Sequence, residues 1–208
     1  MRQQTRRVRA VAAALSWNAG YVDAVGYLSL GGFFVSFMSG NSTQLGVGIA
    51  QVSIDALIAF GLIAVFVVGV TAGAIAARRA SSRAVLYLVA TVLLLAAITG
   101  SLHQAGIAGA LVAFAMGAVN STFAHEGGLP VGLTYMTGTL VRVGQALTVL
   151  PIAGHRLDWL PYALHWLALI AGATVGAIAQ RMFGIEALWF SAIAMFALAI
   201  GSPLGRRH

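Results

Sequence analysis

The chain contains no cysteine and no lysine. Without thiols it can form no disulfide, no thiolate metal site and no cysteine nucleophile. Charge is scarce: 8% of residues are charged, whereas soluble domains carry about 25%. Such a chain has too little polar surface to coat itself in water. Catalytic signatures are missing as well. There is no His-Glu-x-x-His zinc helix, no Gly-x-Ser-x-Gly elbow and no phosphate-binding loop. Phe37-Met38-Ser39-Gly40 lacks the preceding glycine of an intramembrane serine protease, and a single mid-span acid, Asp23, gives poor support for a two-aspartate protease. The expectation is a protein that is not an enzyme and needs no cofactor or metal. With no ATPase motif, any transport is secondary or channel-like unless a partner supplies energy.

What is present is hydrophobic. Sixty per cent of the 208 residues are apolar, which in this chain is better counted in membrane spans of about 20 residues than in soluble domains. The net charge of +7 does not point to nucleic acid. Every basic residue is Arg, and the Arg residues gather at the ends of apolar stretches, as membrane topology requires. The lipid bilayer is therefore the expected partner. Charge-free stretches run from Ala56 to Ala77, Ala84 to His125, Trp159 to Gln180 and Ala187 to Gly205. The second is interrupted at Ser101-Leu102-His103-Gln104 and reads as two spans. Ala10 to Gly31 is interrupted only by Asp23, and reads as a retained first span rather than a signal peptide.

The chain is also written twice. Asp23, then Met38-Ser39-Gly40-Asn41 and Gly46, is echoed by Asn120, then Met136-Thr137-Gly138-Thr139 and Gly144. Gly69 and Gly73 return as Gly172 and Gly176, and Gly100-Ser101 returns as Gly201-Ser202. The expected division is residues 1–104 and 105–208, two halves of one membrane domain. Paired halves in an apolar chain suggest a transporter-like architecture with a site between them.

Two segments, Phe33 to Ala50 and Leu129 to Ile152, read either as full spans or as re-entrant loops. Polar, glycine-broken backbone at membrane depth survives only against protein or water. If both cross, the all-α fold has eight spans as a 4+4 parallel repeat. If both dip in and return, it has six spans as a 3+3 inverted repeat. The positive-inside rule favours six. Arg2, Arg6, Arg7, Arg9, Arg78, Arg79, Arg83, Arg156, Arg206 and Arg207 then share the cytoplasmic side with both termini, leaving Arg181 outside. The matched Arg78 and Arg181 suit the parallel arrangement.

Gly20-Tyr21-Val22-Asp23-Ala24-Val25-Gly26-Tyr27 with Met38-Ser39-Gly40-Asn41, and Tyr135-Met136-Thr137-Gly138-Thr139-Leu140 in the second half, resemble the YoaK-like family of bacterial integral membrane proteins, which bear a domain of unknown function. The resemblance covers nearly the whole chain. It implies a multi-span inner-membrane protein. Ser39 stands where the family more often has Thr, which keeps the hydroxyl. The family brings no settled substrate.

Asp23 is the first candidate for chemistry. A carboxylate inside a span costs several kcal/mol unless it is paired, hydrated or protonated, and such acids are functional candidates by default. The bland alternative is an acid held structurally by Asn18, Tyr21 or the broken segment. Asn120, its mate, keeps the shape and drops the charge. Ser39, Gly40, Asn41 and Ser42, with Thr137, Gly138 and Thr139, form the second set. A glycine flanked by hydroxyls lets a helix break and present backbone dipoles to a solute; the same residues also serve tight helix packing. Arg142, whose mate is Gln44, suits either a counter-charge for Asp23 or Glu126, an anionic substrate, or a snorkelling position. His125-Glu126 reads as a turn or a proton relay. Gly69/Gly73 and Gly172/Gly176 make small faces for packing within the chain or for a homodimer. Three functions fit: a secondary transporter for an unidentified small polar or ionic solute, a passive channel, or a non-transporting scaffold.

Overall fold

The computed structural model describes residues 6–123, 134–148, 159–202 and 204. These residues are helical: α1 (Arg6–Ser29), α2 (Met38–Ala50), α3 (Asp55–Arg79), α4 (Ser82–Ser101), α5 (Ala105–Val119), α6 (Met136–Leu147), α7 (Leu160–Phe183), a 3-10 turn (Gly184–Ala187) and α8 (Leu188–Gly201). Three stretches are long and apolar enough to cross a bilayer: Asp55–Arg79, Ser82–Ser101 and the 42-residue run Leu160–Gly201. The last run is broken at Gly184, where φ is 61° and a side chain would be strained. α1 is as long as α7, but Ser16, Asn18 and Asp23 interrupt its apolar sequence.

Periodicity decides which faces meet. On α4, Val85, Leu86, Val89, Ala90, Leu93, Ala96, Ala97 and Gly100 are buried, a stripe at helical spacing. It packs on α5 and α8, whose own stripes include Val112, Ala115, Met116, Leu188, Ala192 and Met195. The outward positions are equally apolar: Phe60, Val67, Val68, Leu164, Leu167, Ile178, Ile193 and Ile200 are all exposed. So large an apolar exterior aggregates in water and matches lipid. Helix ends are closed locally. Ser81 accepts a hydrogen bond from the Ala84 N–H at 3.2 Å and caps α4, while proline in its first turn starts α7.

Glycine sets the two closest helix contacts. A Cβ added at Gly172 would collide with the Trp17 carbonyl oxygen, and one at Gly176 with that of Tyr21. A Cβ at Gly69 would collide with the Phe114 carbonyl, and one at Gly73 would lie 2.5 Å from that of Ala118. Gly20 meets Leu169 and Gly117 meets Phe66 in the same way. In both pairs residue numbers rise together, so α1 runs parallel to α7 and α5 runs parallel to α3. The small faces offered by the sequence for a homodimer are thus occupied inside the chain.

The helix ends sort to two faces. Gly109 on α5 abuts Leu30 just past α1, Gly100 on α4 abuts Ile185, and the Trp189 indole donates to the Ser101 hydroxyl at 3.0 Å. One face therefore gathers the end of α1, the α4–α5 turn and the α7–α8 turn. The parallel register puts the start of α3 there too. At the other face the Arg83 guanidinium donates to the carbonyls of Ala199, at 3.0 Å, and Ile200 at the end of α8. Exposed Arg78 and Arg79 end α3 on that side, while exposed Arg181 lies near the first face.

Candidate functional site

The site is built from α1 upward. After α1 ends, Gly31 and Gly32 adopt φ of 68° and 99° and turn the chain back along the helix. The returning segment then meets Asp23. One carboxylate oxygen accepts the backbone N–H groups of Val35 and Ser36, each at 2.9 Å, and the Ser36 hydroxyl bonds the same carboxylate. The carboxylate lies just before the N-terminus of α2, where the helix dipole favours negative charge.

Asn41 completes the hold. Its side chain is buried; its Oδ1 accepts the Phe34 N–H at 3.0 Å and its Nδ2 donates to the Phe34 carbonyl at 2.6 Å. This two-point clasp satisfies both backbone groups of one residue. Gln44 adds a third tie, donating to the Gly32 carbonyl at 2.7 Å. Gly40 serves packing: a Cβ there would lie 2.6 Å from the Phe37 ring, which stacks edge-on against Phe34. Asn41→Ala should therefore lower stability by about 2 kcal/mol, the cost of buried backbone groups left without partners. Asn41→Asp, which sets a carboxylate oxygen against the Phe34 carbonyl in place of the amide donor, should destabilise at least as much as alanine in detergent thermal unfolding.

The second half repeats the plan with weaker bonds. Asn120 accepts the Thr134 N–H at 3.2 Å and donates to the Thr134 hydroxyl at 3.1 Å and to the Met116 carbonyl at 2.8 Å. Thr134 stands where the first half has Ser36. Gly138 abuts the Tyr135 ring as Gly40 abuts Phe37. Thr139 is buried and bonds the Tyr135 carbonyl of its own helix at 3.3 Å, so it makes no clasp like that of Asn41.

The remaining candidates separate. Ser42 and Thr43 are exposed and bond back to the carbonyls of Met38 and Ser39, while Ser39 and Thr137 are also exposed. α2 packs on α3 and α6 on α7, and among the described residues no close packing joins the two short helices. Among the described residues Gly40 and Gly138 therefore belong to separately packed helices. Arg142 lies over the Tyr162 ring, 5.8 Å from its centroid, and no ion pair joins it to Asp23 among the described residues. Its cation meets an aromatic face. His125, Glu126, His155, Arg2, Arg156, Arg206 and Arg207 lie outside the described residues, as do parts of the Leu129–Ile152 segment.

Sequence reasoning singled out Asp23 and Asn120 and named the broken segment among the possible holders of Asp23, but did not identify Val35 and Ser36 as the residues held. Backbone N–H groups carry no residue signature. The one available signal was the pairing of Ser36 with Thr134 at matching places in the two halves.

An apolar helical exterior and intramembrane polar anchors define an integral membrane protein. The chain matches the model of a protein family of unknown function, DUF1275, over residues 11–201, and it belongs to that family. It is similar to a UPF0700 transmembrane protein of Rhizobium meliloti (strain 1021), with 38% identity over 190 residues covering 91% of this chain and 83% of that protein. No solved structure matches it.

Proposed function

We propose that the chain is a non-enzymatic secondary transporter or permease of the inner membrane for a small polar or ionic solute, built as a 3+3 inverted repeat with α2 and α6 re-entrant. The observation that carries this reading is the reciprocity of the helix contacts. Gly172 and Gly176 meet Trp17 and Tyr21, while their mates Gly69 and Gly73 meet Phe114 and Ala118, the mates of Trp17 and Tyr21. Equivalent helices thus exchange places across the two halves, as a pseudo-two-fold axis requires.

Direction supports inversion. α1 ends at the face where α5 begins, so the two halves enter the membrane from opposite sides. α2 links the end of α1 to the start of α3, and both lie at one face, which fits a segment that dips and returns. Such half-helices flank solute sites in transporters. The two sites here are then separate, one in each half, rather than one shared centre. Both termini and the Arg78–Arg83 turn are assigned to the cytoplasm by the positive-inside rule.

Topology is tested by cysteine labelling, which is clean because the native chain has no cysteine. A cysteine replacing Ser81 should stay unlabelled by an impermeant maleimide in intact cells and react after permeabilisation. Labelling from outside would overturn the six-span arrangement. Function is tested by flux into proteoliposomes from a library of small polar solutes. Saturable uptake is expected; non-saturating conductance would identify a channel, and no flux of any solute would favour the scaffold.

A further inference from the structure

We infer that Arg142, Tyr162 and His165 form an anion site between α6 and α7, selective for a compact phosphate-type oxyanion. Arg142 is half-buried on α6 with its guanidinium over the Tyr162 ring. Among the described residues it has no acid and no hydrogen-bond acceptor. A guanidinium left in that state keeps its donors free for an oxyanion, which it grips bidentately. Thr139 and Gln145 lie three residues to either side of it, on the same face of α6, and offer further polar groups.

The second observation comes from α7. His165 lies three residues beyond Tyr162, so the two side chains are neighbours on one helix face. Its Nε2 is buried and has no hydrogen-bond partner. An orphaned buried polar atom costs about 1–3 kcal/mol, which a bound ligand can recover. The Arg142 guanidinium thus lies over Tyr162, and one turn further along α7 His165 has a buried imidazole nitrogen without a partner, with no carboxylate paired to Arg142 among the described residues. The first half has Gln44, Ala59 and Leu62 where the second has Arg142, Tyr162 and His165. The scaffold therefore does not need this cluster; only one half carries it. The inference goes beyond the transport reading and stands without it, because binding is read here without flux.

The oxyanion can be free in solution or the headgroup of an anionic lipid. The test uses thermal unfolding of the purified full chain in an uncharged detergent. One arm compares sodium phosphate with sodium chloride at equal ionic strength. The other compares nanodiscs of phosphatidylglycerol with nanodiscs of phosphatidylcholine. Wild type should gain about 3 °C in Tm at a tenfold excess of probe over Kd. Arg142→Gln, which installs the first half's residue, should lose that gain; Arg142→Lys should retain part of it, and His165→Leu should reduce it. A response to free phosphate identifies a solute anion, and a response confined to phosphatidylglycerol identifies a headgroup. Should Arg142→Gln not purify, His165→Leu carries the same comparison. No response of wild type in either arm, or an undiminished response in the variants, would overturn the site.

Discussion

Asp23→Ala should destabilise the protein by about 2–5 kcal/mol, because two backbone N–H groups lose their acceptor inside the membrane domain. Each orphaned donor costs about 1–3 kcal/mol, and the N–H groups of Val35 and Ser36 both depend on one carboxylate oxygen. Asp23→Asn should cost about 1 kcal/mol. It keeps a carbonyl oxygen in place and loses only the charge-assisted part of the bonds. The second half already uses this solution, since Asn120 holds Thr134. Chemical unfolding in detergent measures the difference. An Asp23→Ala protein as stable as wild type would remove the anchoring role. The pair of variants also separates structure from coupling. If Asp23 serves only as an anchor, Asp23→Asn transports normally; if its charge is used, Asp23→Asn folds yet loses ion-dependent flux.

That anchoring role explains why one residue can look functional in sequence and act structurally in the fold. A carboxylate at membrane depth is costly unless its bonds are made. Here they are made by the very segment that breaks the helix. The break and the acid are therefore one device: the turn at Gly31 and Gly32 frees backbone donors, and Asp23 satisfies them. Non-helical backbone in an apolar helical domain is tolerated only when its polar groups find partners. Asn41 and Gln44 do the same for Phe34 and Gly32.

Much of this was legible in the sequence, for physical reasons. Apolar stretches bounded by charged residues marked α3, α4, α7 and α8, since hydropathy over a span is a strong signal. The doubled glycine pairs marked the closest helix contacts, since nothing larger fits between touching backbones. Asp23 and Asn120 stood out as polar residues in apolar helices. The role of Gly40 was not legible. The residue reads as a backbone break, yet its missing Cβ makes room for the Phe37 ring. Nor could sequence show that α2 and α6 pack on different helices, because that depends on how the halves are exchanged. The contact of Arg142 with Tyr162 was hidden because the two lie on separate helices, α6 and α7, joined by tertiary packing.

The glycine contacts lead to the second large effect, and α3 supplies its own control. Gly61, Gly69 and Gly73 lie on that one helix. A Cβ at Gly61 would meet nothing within 4 Å, whereas one at Gly69 would collide with the Phe114 carbonyl oxygen and one at Gly73 would lie 2.5 Å from that of Ala118. Gly61→Ala should be neutral or stabilise by up to about 1 kcal/mol, because alanine is the better helix former. Gly69→Ala and Gly73→Ala gain the same propensity but push α3 and α5 apart. Backbone carbonyls cannot rotate away as a side chain can, so each should lose about 1–3 kcal/mol net. The α7 variants Gly172→Ala and Gly176→Ala should behave alike, against Trp17 and Tyr21. Combining both changes on one helix should not double the loss. The first substitution already separates the backbones, so the second acts on a contact that is partly open. Combining Gly69→Ala with Gly172→Ala should be nearly additive, because the two contacts belong to different helix pairs. That double variant should lose about 2–6 kcal/mol and fail to purify as a monodisperse species. Equal Tm for Gly61→Ala, Gly69→Ala and Gly172→Ala would mean that the close backbone contacts do not hold the helices together, and the exchanged pairing would fall with them.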